Sequence, residues 1–289
     1  MKRSVLDVIN ARYSCRTYRK ELIEDPLRGK LKDYFGTLRI GPFGSEVRLA
    51  LVTASSEDPG TLKGLGTYGF IKGATGFLLG AVRHAPHDLE DFGYMVEQAI
   101  LFATDLDLGT CWLGGSFNKS SFAKRLGGLD REETMPAVVS LGYPGDDGSG
   151  RIRDREVGGR RLPAPTLFFE ESFARPVALA ASDVFAEILE GVRMAPSASN
   201  KQPWRIVRQA EDWHFYLQRT KGYGKGTALF GALRLADLQR VDMGIAMCHF
   251  ALLAEEAGLS GRWKVEEPML GPLDPGMEYT ATWQACRLH

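Results

Sequence analysis

The chain has 289 residues, enough for about two domains and for a real core without disulfides or metals. Its 44% hydrophobic and 25% charged residues exclude a disordered or collagen-like chain. Thirty-six basic residues balance thirty-six acidic ones, so there is no net field for nucleic acid or an anionic membrane, and any bound anion needs a local cluster.

Val5, Val8 and Ile9 fall at helical spacing and predict a short first helix leading into Arg12-Tyr13-Ser14-Cys15-Arg16. The start is basic, but no apolar run follows it, so no leader is expected. Pro26–Arg39 predicts a second helix with proline in its first turn, Glu46–Ala54 a strand and Gly76–Val82 another. Phe92–Leu108 is apolar on nearly every face, which predicts a helix in the middle of the core with Gly109 as its left-handed cap. Ala137–Tyr143 reads as a strand, and Gly145–Arg161 as a turn-rich, Arg-bearing segment. Residues 162–182, with three prolines, read as a connection. Beyond it come a helix at Val184–Met194, a loop at Ala195–Pro203 and a strand pair at Trp204–Arg208 and His214–Arg219. A long apolar helix at Leu235–Ala257, capped by Gly258, and a strand near Glu278–Cys286 complete the chain.

Cys15, Cys111, Cys248 and Cys286 are too few and too scattered for a secreted disulfide framework and include no C-x-x-C pair. The longest stretches free of Asp, Glu, Lys and Arg, Thr134–Gly145 and Met243–Ala254, have twelve residues each. A spanning helix needs about twenty. A reduced, cytoplasmic protein with no membrane or nucleic-acid partner is the expectation.

The two passes of elements share one order. Arg39-Ile40-Gly41-Pro42 lines up with Arg193-Met194-Ala195-Pro196 at an offset of 154, each after a helix and before a strand. Gly109 and Gly258 lie 149 apart, with Trp112 and Trp263 just beyond them. These anchors point to an internal repeat in which the second copy has no counterpart of residues 1–25.

Some signals carry little chemistry. Gly64-Leu65-Gly66-Thr67-Tyr68-Gly69 matches G-x-G-x-x-G, but a dinucleotide turn needs a strand ending at the first glycine and a helix opening at the last. Here the strand ends near Ala54 and the following residues look strand-like, so a flexible loop is expected. His84 and His87 are separated by a proline, and His249 lies in an apolar helix beside Cys248. Each reads as a core or surface residue, and no metal site is expected. No G-x-S-x-G is present.

Two segments say more. Arg12-Tyr13-Ser14-Cys15-Arg16 places two guanidinium forks and a hydroxyl at a helix end, a set that matches phosphate oxygens but on composition alone reads more readily as a solvated basic helix end. Ala195-Pro196-Ser197-Ala198-Ser199-Asn200-Lys201-Gln202-Pro203-Trp204 is stiffened by prolines and carries two carboxamides suited to a heteroaromatic edge. A capped turn between helix and strand is its other reading.

Taken together, RYSCRTY at 12–18, GTCWLGG at 109–115, Leu141-Gly142-Tyr143-Pro144 and APSASNKQPW at 195–204 resemble the FMN-dependent nitroreductase superfamily. In ordinary members one subunit of about 200 residues carries all four elements, and two subunits share two flavin sites. Here RYSCR lies in the first half and APSASNKQPW in the second, while the equivalent first-half loop reads Gly41-Pro42-Phe43-Gly44-Ser45-Glu46. The chain therefore looks like the single-chain branch. The resemblance implies an α+β fold of two nitroreductase-like halves, each a mixed or antiparallel sheet flanked by helices with a buried central helix, forming an intramolecular pseudo-dimer. The halves are expected at 1–165 and 176–289, with 166–175 as the connection.

The resemblance further implies one FMN per chain, NAD(P)H as co-substrate, a small electron-poor acceptor, ping-pong turnover and a monomer. Arg12, Tyr13, Ser14 and Arg16 would hold the phosphate, ribityl chain and pyrimidine edge. Arg151 or Arg153 would add a phosphate contact, although an exposed turn explains them equally well. Leu113, Gly114 and Gly115 would turn backbone N–H groups toward flavin N5 and O4. Pro196, Ser197, Asn200 and Gln202 would come from the second half, and no side chain is assigned as a catalytic acid or base. The rival readings are a flavin-binding protein without reductase activity and a degenerate two-domain module for another phosphate ligand.

Overall fold

Alternation along the strands sets the layers. In β2 (Gly76–Arg83), Phe77, Leu79 and Ala81 point to one face and Leu78 and Val82 to the other, and all five are buried. A strand covered on both faces belongs at the centre of a sheet, and β2 has neighbours on both sides: β1 (Val47–Thr53) and β5 (Val138–Gly142). The sheet runs β1-β2-β5-β3, with β3 at Gly109–Leu113 and the short β4 (Glu133–Thr134) pairing with β2; every pair is antiparallel. One face packs on α4 (Lys119–Arg125) through Phe77, Phe122 and Met135; the other packs on the main core. The computed structural model describes residues 1–145, 161–222, 236–268 and 270–286.

The second sheet repeats the plan. β8 (Trp204–Gln209), β9 (Asp212–Gln218), β11 (Met277–Ala285) and β10 (Gly261–Lys264) follow in the spatial order of β1, β2, β5 and β3, again all antiparallel. It is extended by β6 (Phe168–Glu170), parallel to β8, and by β7 (Ser172–Pro176). The stretch read from sequence as a connection thus runs through two strands of the second sheet. Trp112 on β3 and Trp263 on β10 occupy corresponding strands, so the tryptophan anchors mark a real structural repeat.

Helices fill the space between the sheets. α1 (Val5–Ala11) starts at Ser4, whose hydroxyl accepts from Asp7 N, and α2 (Asp25–Thr37) carries Pro26 in its first turn. α5 (Val184–Arg193) is capped by Asp183, which accepts from Phe185 N at 2.9 Å. The central pair is α3 (Asp88–Asp105) and α6 (Leu238–Glu256), one from each half and each buried on most of its surface. Gly258 caps α6 in the left-handed region at φ +76°. The expected cap of α3 is different: Asp107 takes the left-handed position at φ +62°, and Gly109 is already the first residue of β3. Gly109 is small because a Cβ there would lie 2.8 Å from the Cys15 sulfur, so the constraint is packing and not a turn.

α3 and α6 meet backbone to backbone. A Cβ on Gly93 would lie 2.1 Å from the Val241 carbonyl oxygen, and one on Gly244 would lie 2.0 Å from that of Glu90. Gly244→Ala forces these backbones apart and is expected to destabilise the protein by about 3 kcal/mol. Gly29→Ala, in an open stretch of α2 with nothing within 4 Å of the new methyl, should be neutral or stabilise by up to about 1 kcal/mol. Urea unfolding of both variants checks the contrast.

Candidate functional site at the junction of the halves

The segment after α1 runs extended along the edge of the first sheet. Ser14 bridges Thr110 at the start of β3, and Cys15 N donates to Thr110 O at 2.8 Å. Arg16 leans back on Ser14 O at 3.3 Å and is flanked by Lys72, whose N–H donates to Arg16 O. Tyr13 and Arg12 border a cavity of about 110 Å³ closed by Thr104, Gly109 and Pro144. Arg12 is half-buried, and its Nε is buried with no hydrogen-bond partner among the described residues.

At its far end β3 delivers the Leu113–Gly115 turn. Leu113 is buried, and Gly114 abuts the other half: a Cβ there would lie 2.5 Å from Leu238 in the first turn of α6. Gly115 is exposed with open space around it, leaving its main chain approachable.

One turn further along α6, Asp242 reaches the loop of the second half. Its Oδ1 accepts from Ala198 N at 2.9 Å. That loop is strained: Ser199, Asn200 and Gln202 all sit in the left-handed region, at φ 51°, 55° and 49°. Ser197 Oγ accepts from Gln202 N at 2.9 Å, and Pro196 is half-buried beside it. Arg161 donates to Asn200 Oδ1 at 2.8 Å and to Met194 O at 3.0 Å. Gln202 is 2% exposed; its Oε1 accepts from Leu162 N and its Nε2 donates to Asn200 O. Gln202 therefore helps to hold the loop in shape.

A continuous set of contacts thus links residues 12–16, the 113–115 turn, the start of α6 and residues 196–202. The expected site residues lie along this set of contacts, apart from Arg151 and Arg153, which lie outside the described residues. Sequence reasoning missed Lys72, Arg161 and Asp242. An acid within an apolar helix was the available signal for Asp242, because Asp91 stands 151 positions earlier on α3 and does the matching work. Asp91 accepts from Phe43 N and Ser45 N, at 2.9 and 2.8 Å, and so uses both oxygens to hold the loop at Gly41–Ser45. Asp242 uses one, and its Oδ2 is buried with no hydrogen-bond partner among the described residues.

Residues 4–254 match a family model described as "Putative TM nitroreductase". Over 98% of this chain and 94% of the other, the fold aligns with the crystal structure of a putative nitroreductase from Thermotoga maritima, at 17% identity and a TM-score of 0.59. A nitroreductase family protein from Clostridium difficile aligns over 55% of this chain and 92% of its own, at 18% identity and a TM-score of 0.41. A putative nitroreductase solved in complex with FMN, from Desulfovibrio desulfuricans, aligns over 52% and 91%, at 23% identity and a TM-score of 0.40. No curated protein matches. Among the described residues no helix is long and apolar enough to cross a membrane.

Burial pushes the Asp242 carboxyl well above the ordinary value of 3.8; the Ala198 N–H opposes the shift and the negative charge of Asp237 adds to it. A carboxyl with a raised folded-state pKa binds its proton more tightly folded than unfolded. It therefore weakens the fold as pH climbs above the unfolded value and costs nothing below that value. Asp242→Asn keeps the oxygen that accepts from Ala198 and removes the titration. The variant should melt at a higher temperature than wild type at pH 7 and at the same temperature near about pH 3. Thermal unfolding followed across that range checks it.

Proposed function

Because the chain belongs to the putative TM nitroreductase family, we propose that it is an FMN-dependent oxidoreductase. It carries electrons from NAD(P)H to a nitroaromatic, a quinone or a similar electron-poor acceptor, one substrate replacing the other in ping-pong order. The observation that supports this reading is the chain of contacts that runs from an arginine segment along β3 to an open glycine turn, and through the start of α6 to a strained carboxamide loop.

The residues present suit the cofactor. Arg12 offers a buried Nε, a donor with no hydrogen-bond acceptor among the described residues. Gly115 has nothing within 4 Å of where a side chain would start, so a planar ring can approach its main chain. Bound FMN supplies hydride acceptance and release at N5, which no side chain can provide. The chain's own residues then hold and bias it. Arg12, Tyr13, Ser14 and Arg16 take the phosphate, ribityl and pyrimidine side, where positive charge favours the reduced, anionic ring. Arg151 or Arg153 adds a phosphate contact. Leu113, Gly114 and Gly115 donate backbone N–H groups, and Pro196, Ser197, Asn200 and Gln202 close the cleft from the second half.

One site per chain follows from the asymmetry of the halves. In the mirror position, both oxygens of Asp91 clamp the Gly41–Ser45 loop, and the second half has no partner for residues 12–16. Because the junction lies within one polypeptide, a monomer suffices.

The purified protein mixed with FMN should show a flavin spectrum with one FMN retained per chain, and NADH or NADPH should bleach it under anaerobic conditions. Arg12→Ala should weaken FMN binding by about tenfold or more. A protein that remains colourless favours a module for another phosphate ligand. Bound flavin that neither nucleotide bleaches favours a flavoprotein without reductase activity.

A further inference from the structure

Both carboxamides of the 196–202 loop are oriented from outside it, by two consecutive residues. Leu162 N donates to Gln202 Oε1 at 2.8 Å. Arg161 Nη1 donates to Asn200 Oδ1 at 2.8 Å, while its Nη2 holds Met194 O at 3.0 Å. A guanidinium offers only hydrogens and keeps its charge, so the end of the Asn200 amide that faces it is the oxygen. The backbone of Asn200 is bound as well. Its N–H donates to Ser197 O at 2.9 Å, and its carbonyl oxygen accepts from Gln202 Nε2 at 3.0 Å. These bonds hold Asn200 at φ 55°, a left-handed position that asparagine takes more readily than most residues with a side chain.

One group is left over. Asn200 Nδ2 carries two hydrogens and donates to none of the described residues, although the side chain is half-buried. With the oxygen turned to Arg161, the amide shows its amino end to whatever lies opposite. That end suits an acceptor, such as a ring carbonyl, a ring nitrogen lone pair or a phosphate oxygen. It does not suit a ring N–H, which would need the oxygen. A carboxamide free to turn serves either kind of partner, and one held by Arg161 serves only acceptors. Fixing the orientation before binding also removes the cost of ordering the amide afterwards.

We propose that Arg161 is a positioning residue of the cofactor site: it fixes the Asn200 carboxamide with its amino group outward, so that Asn200 meets the cofactor as a hydrogen-bond donor. The inference rests on the reading of Asn200 as a flavin contact. It gives Arg161 a task unlike that of Arg12 and Arg16, because Arg161 acts through the loop.

The test separates a donor from an acceptor. FMN binding to the full-length apoprotein is titrated by flavin fluorescence for wild type, Asn200→Asp, Asn200→Gly, Arg161→Gln and the double variant Arg161→Gln/Asn200→Gly. Asn200→Asp keeps the oxygen that faces Arg161 and puts a second oxygen in place of the amino group, so FMN should bind about tenfold more weakly. Retained or tighter binding overturns the proposal, because an Asn200 that accepts from a flavin N–H loses nothing as a carboxylate. Arg161→Gln lets the amide turn and should weaken binding by about threefold to tenfold. Asn200→Gly relaxes the left-handed backbone and removes the amide, so adding Arg161→Gln to it should cost less than about a further twofold. A similar loss in both backgrounds, or no loss from Arg161→Gln alone, overturns the proposal, because a direct phosphate ligand or a mere brace acts in either. If Arg161→Gln does not fold, Asn200→Asp alone decides: weaker binding supports the donor assignment, and retained binding overturns it. Failure of the wild type to bind FMN overturns the flavin reading instead.

Discussion

The approach of α3 and α6 at Gly93 and Gly244 is the constraint on which the rest of the molecule depends. With carbonyl groups of each helix occupying the space where the other would carry a side chain, the two backbones have no freedom to slide. Both helices are then enclosed, and each sheet is left to cover the outside of one of them. The same crossing decides where β3 ends and where α6 begins, so it places Gly114 against Leu238 and Asp242 beneath Ala198. The proposed cleft is a by-product of how two helices pack.

The chemistry of that crossing is unusually polar for a protein centre. A buried acid beside a buried imidazole is weak evidence for stability, since well-packed apolar residues serve as well or better. Glu97 and His249 nevertheless have every described polar atom matched: tryptophan N–H to one oxygen, imidazole to the other, and a carbonyl to the far ring nitrogen. Such completeness fits a specifying role, because a helix shifted by one turn would strand a charge in the core. Asp91 and Asp242 show the same economy of position with different outcomes, one clamping its loop with both oxygens and the other with only one.

Much of this was legible in the amino-acid order, and for identifiable reasons. Period-two runs such as Phe77–Val82 and the nearly all-apolar stretch from Phe92 onward announce a covered strand and a covered helix, since burial acts on every residue of such elements. The repeat was readable from the paired tryptophans, which lie on corresponding strands. The cap of α3 was misplaced because a glycine at a helix end resembles a turn whether or not its backbone is left-handed; Asp107 takes that conformation, and only packing against Cys15 explains Gly109. β6 and β7 were hidden by prolines that suit an edge hairpin as well as a connection. At the site, residues within a contiguous motif could be found, but Arg161, Lys72 and Asp242 could not. Their neighbours lie far away in sequence, and no local pattern records a contact made by folding.

The clamped loop at Gly41–Ser45 bears on how such a chain can change over time. In a homodimer one codon writes both copies of every loop, so a mutation that spoils one site spoils its twin. Fusing the halves ends that bond: the codons for residues 41–46 and for 195–203 are inherited side by side but tried independently. One copy is free to decay into a brace while the other keeps its carboxamides. A gene of this form explores lopsided architectures that no symmetric pair of identical subunits can reach.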